Sequence, residues 1–268
     1  MITNDFLLIA GPCVVESEAL CIQTADVLCS LAAKYDLPFV FKSSYRKDNR
    51  SRGDSFTGIG DRKALEILQR IKETYKIRVI TDIHLPEEAF LAASYHIDIL
   101  QIPAFLCRQT SLLKAAAKTG KCVNVKKGQF LAPGQMQFVV DKLLQFGCDR
   151  SKIFLTERGT QFGYSDLIFD VRGIPEMQSF GVPVILDVTH SLQQPNQSKG
   201  VAGGRPGMIT TLATAGVSIG VDGLFIETHP RPEEALSDGA NMLPLNKMEA
   251  LIRHILPFRE LYKKSIQK

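Results

Sequence analysis

The sequence predicts a single (β/α)8 barrel over residues 1–268, with parallel strands and a functional site at their C-terminal ends. Three observations predict it. Short apolar runs recur along the chain, at residues 6–13, 39–44, 78–84, 97–104, 122–127, 153–158, 182–190 and 223–229. Most are near-continuously apolar rather than alternating, as parallel strands covered on both faces are. Amphipathic stretches separate them, so the chain reads as repeated βα units, and eight such units in roughly 250 residues is the count of a closed barrel. A doubly wound sheet has no need of that number, and no GxGxxG fingerprint follows the first run.

The helical stretches carry their own signals. After the first run, Ser17 between Glu16 and Glu18 reads as a helix start, a side-chain cap with acidic company. After the second, Leu65, Leu68 and Ile71 share one helical face. Pro86-Glu87-Glu88 opens the third helix. Leu112, Leu113 and Ala116 mark the face of the fourth, and Gly120 its stop. Pro133 with Gly134 opens the fifth and Gly147 ends it. Met248, Leu251, Ile252 and Ile255 form the face of the last. Residues 194–207, QPNQSKGVAGGRPG, follow the seventh run and read as a polar lid, with Gly203, Gly204 and Arg205 offering backbone N–H groups to an anion.

The chain is 45% hydrophobic and 22% charged, an ordinary globular balance. A net charge of +4 is too small to point to nucleic acid and suits a basic pocket for an anionic metabolite. No apolar run reaches transmembrane length, and no basic segment precedes the first run, so neither a membrane span nor a signal peptide is expected. The six cysteines form no CxxC pair, which fits a reduced, cytoplasmic chain.

The residues at which the apolar runs stop are Cys13, Lys42, Asp82 with His84, Gln101, Lys126, Arg158, His190 and Glu227. They fall into two constellations. Lys42, Lys47, Arg50, Lys126 and Arg158, with Arg108 beyond the fourth run, are the lysines and arginines that phosphate recognition uses. Singly each is an ordinary surface ion-pair partner; at strand ends of one barrel they converge on one mouth. Their densest stretch is 42–51, KSSYRKDNRS, with four cations, Lys42, Arg46, Lys47 and Arg50. The second constellation is Cys13, His190, Glu227 and Asp238. Strands one, seven and eight are neighbours in a closed barrel, so these donors meet at one rim. A thiolate, an imidazole and two carboxylates suit zinc, iron(II), manganese or cobalt, while a small core cysteine is the bland alternative. His229, two residues after Glu227, is a rival ligand on the same face. Asp82 and His84 share a face as acid–base or orienting groups. The other five cysteines read as structural, and His96 and His254 receive no role.

These stretches carry a resemblance. GPCVVES, FKSSYRKDNRS, TDIH, IQIPAFLCRQT, VNVKKGQFLAPG, LTERGTQFGY, DVTHSLQ, GLFIETHP and LSDGANMLPL run the length of the chain, which therefore resembles the 3-deoxy-D-manno-octulosonate 8-phosphate synthase family. The resemblance implies a barrel, a homotetramer, and condensation of phosphoenolpyruvate with D-arabinose 5-phosphate, with release of phosphate, on the route to lipopolysaccharide. Cys13 stands where metal-independent members have asparagine, so the resemblance implies the metal-dependent class, with Cys13, His190, Glu227 and Asp238 as ligands. It implies phosphoenolpyruvate contacts from Lys42, Ser44, Lys47, Gln101, Lys126, Arg158 and His190. It implies arabinose 5-phosphate contacts from Asn49, Arg50 and Ser51, and from Arg108 of a neighbouring subunit. Lys47, Asn49, His190 and Asp238 are implied in the chemistry. The chain departs from the family at 52–60, RGDSFTGIG, where Thr57 replaces an arginine and Ile59 a proline or histidine. Three alternatives stand beside this reading: the related reaction with erythrose 4-phosphate, a Schiff-base aldolase using Lys126 or Lys42, and a non-catalytic phosphosugar-binding barrel. The stretch KDNRS, in place of KPRTS, favours arabinose 5-phosphate.

Overall fold

The computed structural model describes residues 6–48, 52–197 and 202–266. The apolar runs form β1 (Leu7–Gly11), β2 (Phe39–Lys42), β3 (Arg78–Asp82), β4 (Ile99–Ile102), β5 (Cys122–Lys126), β6 (Ile153–Glu157), β7 (Val184–Asp187) and β8 (Gly223–His229). They pair in parallel in chain order, and β1 closes on β8, with Leu7 opposite Gly223 and Gly11 opposite Glu227. This is the closed parallel barrel the sequence predicts.

Helices α1 (Glu18–Lys34), α2 (Asp61–Tyr75), α3 (Pro86–Ser94), α4 (Thr110–Lys118), α5 (Met136–Gln145), α6 (Gly173–Gln178), α7 (Ile209–Ser218) and α8 (Met248–Ile266) surround it. The Ser17 hydroxyl accepts the Leu20 N–H at 3.2 Å and caps α1. Pro86 sits in the first turn of α3. Gly120 and Gly147, just past α4 and α5, have φ of +69° and +89°, the left-handed closure that glycine permits. The apolar faces read from α2, α4 and α8 are all buried.

The strands are shorter than the apolar runs because the last residues of several runs belong to turns. His190 is the clearest case. Expected at a strand end, it lies three residues beyond β7 in a 3-10 turn. The cause is Asp187, whose carboxylate accepts the N–H groups of Thr189 at 3.1 Å and His190 at 2.8 Å and turns the chain out of the ladder.

Inside the barrel the side chains form layers, because alternate residues of a strand face the same way. The lower layer is apolar: Leu7, Ile9, Val40, Ile80, Ile99, Phe154, Ile185 and Phe225. Two residues further along each strand stand Gly11, Lys42, Asp82, Gln101, Asn124, Thr156, Asp187 and Glu227. The barrel thus has an apolar plug below a polar ring. Gly11 is required by close approach, since a Cβ there would lie 2.0 Å from the Lys42 carbonyl oxygen.

Two short excursions rise above this rim. A hairpin follows β6, its strands Thr160–Phe162 and Asp166–Ile168. After β7, Gln193–Gln194 pairs with Gly203–Gly204. This antiparallel ribbon lies at the base of the stretch read as a polar lid. Among the described residues no helix is long and apolar enough to cross a membrane.

Candidate active site

The polar ring divides into an ionic half and a neutral half. In the ionic half, Lys42 donates to Glu227 and to the Cys13 carbonyl at 2.8 Å. Lys126 donates to Asp187 at 2.7 Å and lies 3.8 Å from the centre of the Phe225 ring, an aromatic floor that favours a cation. His190 bridges the two carboxylates: its Nδ1 is 2.7 Å from Asp187, and its Nε2 is 3.4 Å from Glu227. In the neutral half, Ser44 and Gln101 donate to Asp82, Asn124 donates to Gln101, and Thr156 donates to Asn124.

Charge balance explains how these groups are tolerated. Burial alone would raise the Asp82 carboxyl, but Lys47, Lys42 and Lys126 outweigh it and hold it well below the usual carboxylate range. The same contest ends the same way at Glu227, where His190 and Lys42 are the chief partners, and at Asp187, where His190 and Lys126 are. Burial works against the Lys47 ammonium, and Cys13, Glu227 and Asp82 overcome it. At Lys126 and Arg158 burial prevails and lowers both basic groups, although Asp187 opposes it at each.

Three of the four expected metal donors converge. The ligand atoms of Cys13, Glu227 and Asp238 all lie within 4.8 Å of one another. His190 joins them through its contact with Glu227. The donor set fits a divalent cation for two reasons. Asp187 lies 2.7 Å from His190 Nδ1 and orients the ring, which sets Nε2 3.4 Å from the Glu227 carboxylate, a separation at which one cation would be shared by both. The Cys13 thiol, fully buried, is pushed up by burial and by Glu227; a thiolate there needs a positive charge of its own. Asp238 holds φ at +51°, a left-handed conformation that aspartate tolerates better than most residues. His229 is not part of the cluster. Its Nδ1 accepts the Arg231 N–H at 3.0 Å and its Nε2 lies 3.8 Å from Glu16.

A cavity of about 470 Å³ opens above the ring. Lys47, Gln101, Lys126, Arg158, His190, Glu227 and Asp238 line it, as do Gln193, Asn196 and Gln197 from the ribbon side. Arg158 donates to Gln193 through one terminal nitrogen, while its other, Nη1, is buried and has no partner among the described residues. Lys42 and Ser44 lie just beneath, turned to Glu227 and Asp82. Arg46 does not face the cavity. It pairs with Glu88, with Asp61 at 3.1 Å and with Asp48 at 4.0 Å, so of the cations in the 42–51 stretch this one anchors the loop. His84 belongs to the same anchor through Glu88. Arg108 is exposed after β4 and does not line the cavity of its own chain. Asn49, Arg50 and Ser51 lie outside the described residues.

Asp187, Asn124 and Thr156 are not among the predicted site residues because they lie inside the apolar runs, not at their last residues. The signal was there: every barrel strand places a polar residue or glycine two positions after an inward apolar one. Read in register, that pattern picks out the whole ring.

The sequence matches the DAHP synthetase I family over residues 3–261. A protein of Cyanothece sp. is 48% identical over 256 residues, 96% of this chain and 93% of its own. One from Variovorax paradoxus is 46% identical over 266 residues, 98% and 93% of the two chains. One from Dichelobacter nodosus is 46% identical over 264 residues, 98% and 94%. All three are named 2-dehydro-3-deoxyphosphooctonate aldolase. With that match along nearly its whole length, and with the barrel and its mouth in place, the chain belongs to the DAHP synthetase I family, among the members named 2-dehydro-3-deoxyphosphooctonate aldolase.

Proposed function

We propose that the protein is a transferase that condenses phosphoenolpyruvate with D-arabinose 5-phosphate and water, giving 3-deoxy-D-manno-octulosonate 8-phosphate and phosphate. The observation that carries this reading is the Arg158 Nη1 group, buried and without a partner among the described residues, on a cavity that Lys47 and Lys126 also line. Such a site calls for a multiply charged anion.

In this reading Lys47, Lys126 and Arg158 hold phosphoenolpyruvate by its phosphate and carboxylate, with Gln101 as a neutral partner. Asn49, Arg50 and Ser51 hold the pentose phosphate. Two anions are brought together, and the cations offset their repulsion. C3 of phosphoenolpyruvate bonds to the aldehyde carbon of the sugar as the C=O π pair moves onto the sugar oxygen, which takes up a proton to become a hydroxyl, while positive charge grows at C2. Water adds at C2, and the hemiketal phosphate then breaks its C–O bond to release phosphate. The proton shed by that water goes to the acidic side of the cavity, where His190, Glu227 and Asp238 stand. A divalent cation held by Cys13, His190, Glu227 and Asp238 would supply electrophilic polarisation of an oxygen at that side.

The same reading includes a cytoplasmic homotetramer in which Arg108 reaches the sugar phosphate in a neighbouring subunit. The six cysteines, all free among the described residues, agree with a reducing compartment. The erythrose 4-phosphate reaction is not favoured, since relatives across nearly the full chain bear the octonate name. Lys126 and Lys42 are tied to buried carboxylates, not set as free amines for a Schiff base.

The test is phosphate release from phosphoenolpyruvate with arabinose 5-phosphate or erythrose 4-phosphate, with and without a chelator. Release with arabinose 5-phosphate alone, lost on chelation and restored by metal, is the expected result. No turnover of arabinose 5-phosphate in the metal-restored protein would overturn the assignment. Turnover indifferent to rigorous metal removal would overturn the metal. Cys13→Asn should lose the wild-type metal requirement, and an unchanged requirement would count against Cys13 as a ligand.

A further inference from the structure

The neutral half of the polar ring is a hydrogen-bond chain with one direction. The Gln101 amide nitrogen donates to Asp82. The Gln101 oxygen accepts from Asn124 Nδ2 at 2.9 Å, and Asn124 Oδ1 accepts from Thr156 Oγ1 at 2.8 Å. All four side chains are buried.

That direction is imposed from one end. An ionised carboxylate can only accept. Gln101 must therefore turn its NH2 group to Asp82, which leaves its carbonyl facing Asn124. Asn124 must answer with its own NH2 group, which leaves its carbonyl facing β6. There only a hydroxyl hydrogen completes the chain, and Thr156 supplies it. The ammonium of Lys47, 3.8 Å from Asp82, helps keep the anchoring carboxylate charged. Neither amide can rotate without placing two acceptors or two donors face to face in a buried site.

An amide nitrogen carries two hydrogens. One on Gln101 is committed to Asp82, and the Gln101 carbonyl is committed to Asn124. Gln101 also lines the cavity, and with its carbonyl turned to Asn124 the second amide hydrogen is the group it offers a ligand. We propose that Asn124 and Thr156, which do not line the cavity, are positioning residues that lock Gln101 as a hydrogen-bond donor to an acceptor oxygen of bound phosphoenolpyruvate. This rests on the reading of the cavity as a phosphoenolpyruvate site. Without Asn124 and Thr156 the Gln101 carbonyl loses its partner and the amide is steadied by Asp82 alone, so its second N–H is less firmly aimed at the anion, which weakens phosphoenolpyruvate and leaves the sugar phosphate unaffected.

The test compares Thr156→Val, Thr156→Ser and Asn124→Asp in the metal-loaded protein. Phosphoenolpyruvate is titrated calorimetrically, and KM is measured for each substrate alongside melting temperature. Valine keeps the shape and removes the donor; serine restores it; aspartate at 124 cannot donate to Gln101. Thr156→Val should weaken phosphoenolpyruvate about tenfold, Asn124→Asp more, and Thr156→Ser should return to within about twofold of wild type, all with KM for arabinose 5-phosphate unchanged. If the valine variant does not fold, Asn124→Asp and Thr156→Ser carry the same comparison. Wild-type phosphoenolpyruvate affinity in Thr156→Val or Asn124→Asp, equal losses for both substrates, or serine no better than valine would overturn the relay. A wild-type protein that takes up no phosphoenolpyruvate would instead overturn the functional reading beneath it.

Discussion

Asp187 shows how much one buried carboxylate can organise. It accepts from Lys126, from the His190 ring and from two backbone N–H groups, so it fixes the turn, the imidazole face and the lysine at once. On the proposed reading His190 is a metal ligand, and a group that orients such a histidine commonly matters as much as a ligand. Asp187→Asn is expected to lower metal affinity by roughly 10- to 100-fold, read by competition with a chromogenic chelator; wild-type affinity would remove this role. Gly11 makes a different residue-scale case. Its neighbour is the Lys42 carbonyl, part of a paired strand that cannot yield as a flexible side chain could. Gly11→Ala should destabilise the fold by about 3 kcal/mol in denaturant unfolding, and a variant as stable as wild type would contradict the packing described. The glycine was visible in the sequence. The carbonyl it must clear was not, because that atom lies on the next strand.

At the scale of the element, the loop after β2 divides its cations between two tasks. Lys47 turns inward, its N–H held by the Thr57 carbonyl at 2.8 Å, while Arg46 turns outward to Glu88 and Asp61. Thr57, a departure from the family pattern, thus anchors the loop through its backbone, which any residue offers. Glu88 is the acid-sensitive point of this anchor. Burial would raise its carboxyl, but the hydrogen bonds from the His84 ring and backbone N–H prevail and bring it down from 4.5 to about 2. The folded value lies below the unfolded one, so the stabilisation is complete above about 4.5 and is lost as pH falls towards 2. Comparing acid unfolding of wild type and Glu88→Gln by circular dichroism should show a gentler loss in that window for the variant. Parallel curves would rule the anchor out as a source of acid lability. The sequence marked 42–51 as basic and could not say which cation faced which way, because Glu88 and Asp61 come from helices further along the chain.

At the scale of the whole molecule, the open question is whether one chain makes a complete site. Arg108 is exposed, away from the cavity of its own chain, and Phe105 beside it is 63% exposed while lining that cavity. If subunits complete each other's sites, Arg108→Ala should raise KM for arabinose 5-phosphate about tenfold with phosphoenolpyruvate affinity intact. Light scattering on the same samples should show an unchanged assembly. A wild-type protein that is monomeric at full activity would remove the shared-site reading.

The sequence by itself determined the barrel, since eight buried apolar runs separated by amphipathic helices leave parallel strands few other ways to cover both faces. It also determined the chemical types at the mouth, because each strand ends its inward apolar register on a polar residue or glycine. Tertiary structure decided the partnerships. Lys42 with Glu227, Lys126 with Asp187 and Thr156 with Asn124 join residues from different strands. Only closure of β1 on β8 brings Cys13, Glu227 and Asp238 within a few ångströms of one another. Local pattern fixes which way a side chain faces, and the buried charge it meets there is set by the closed ring.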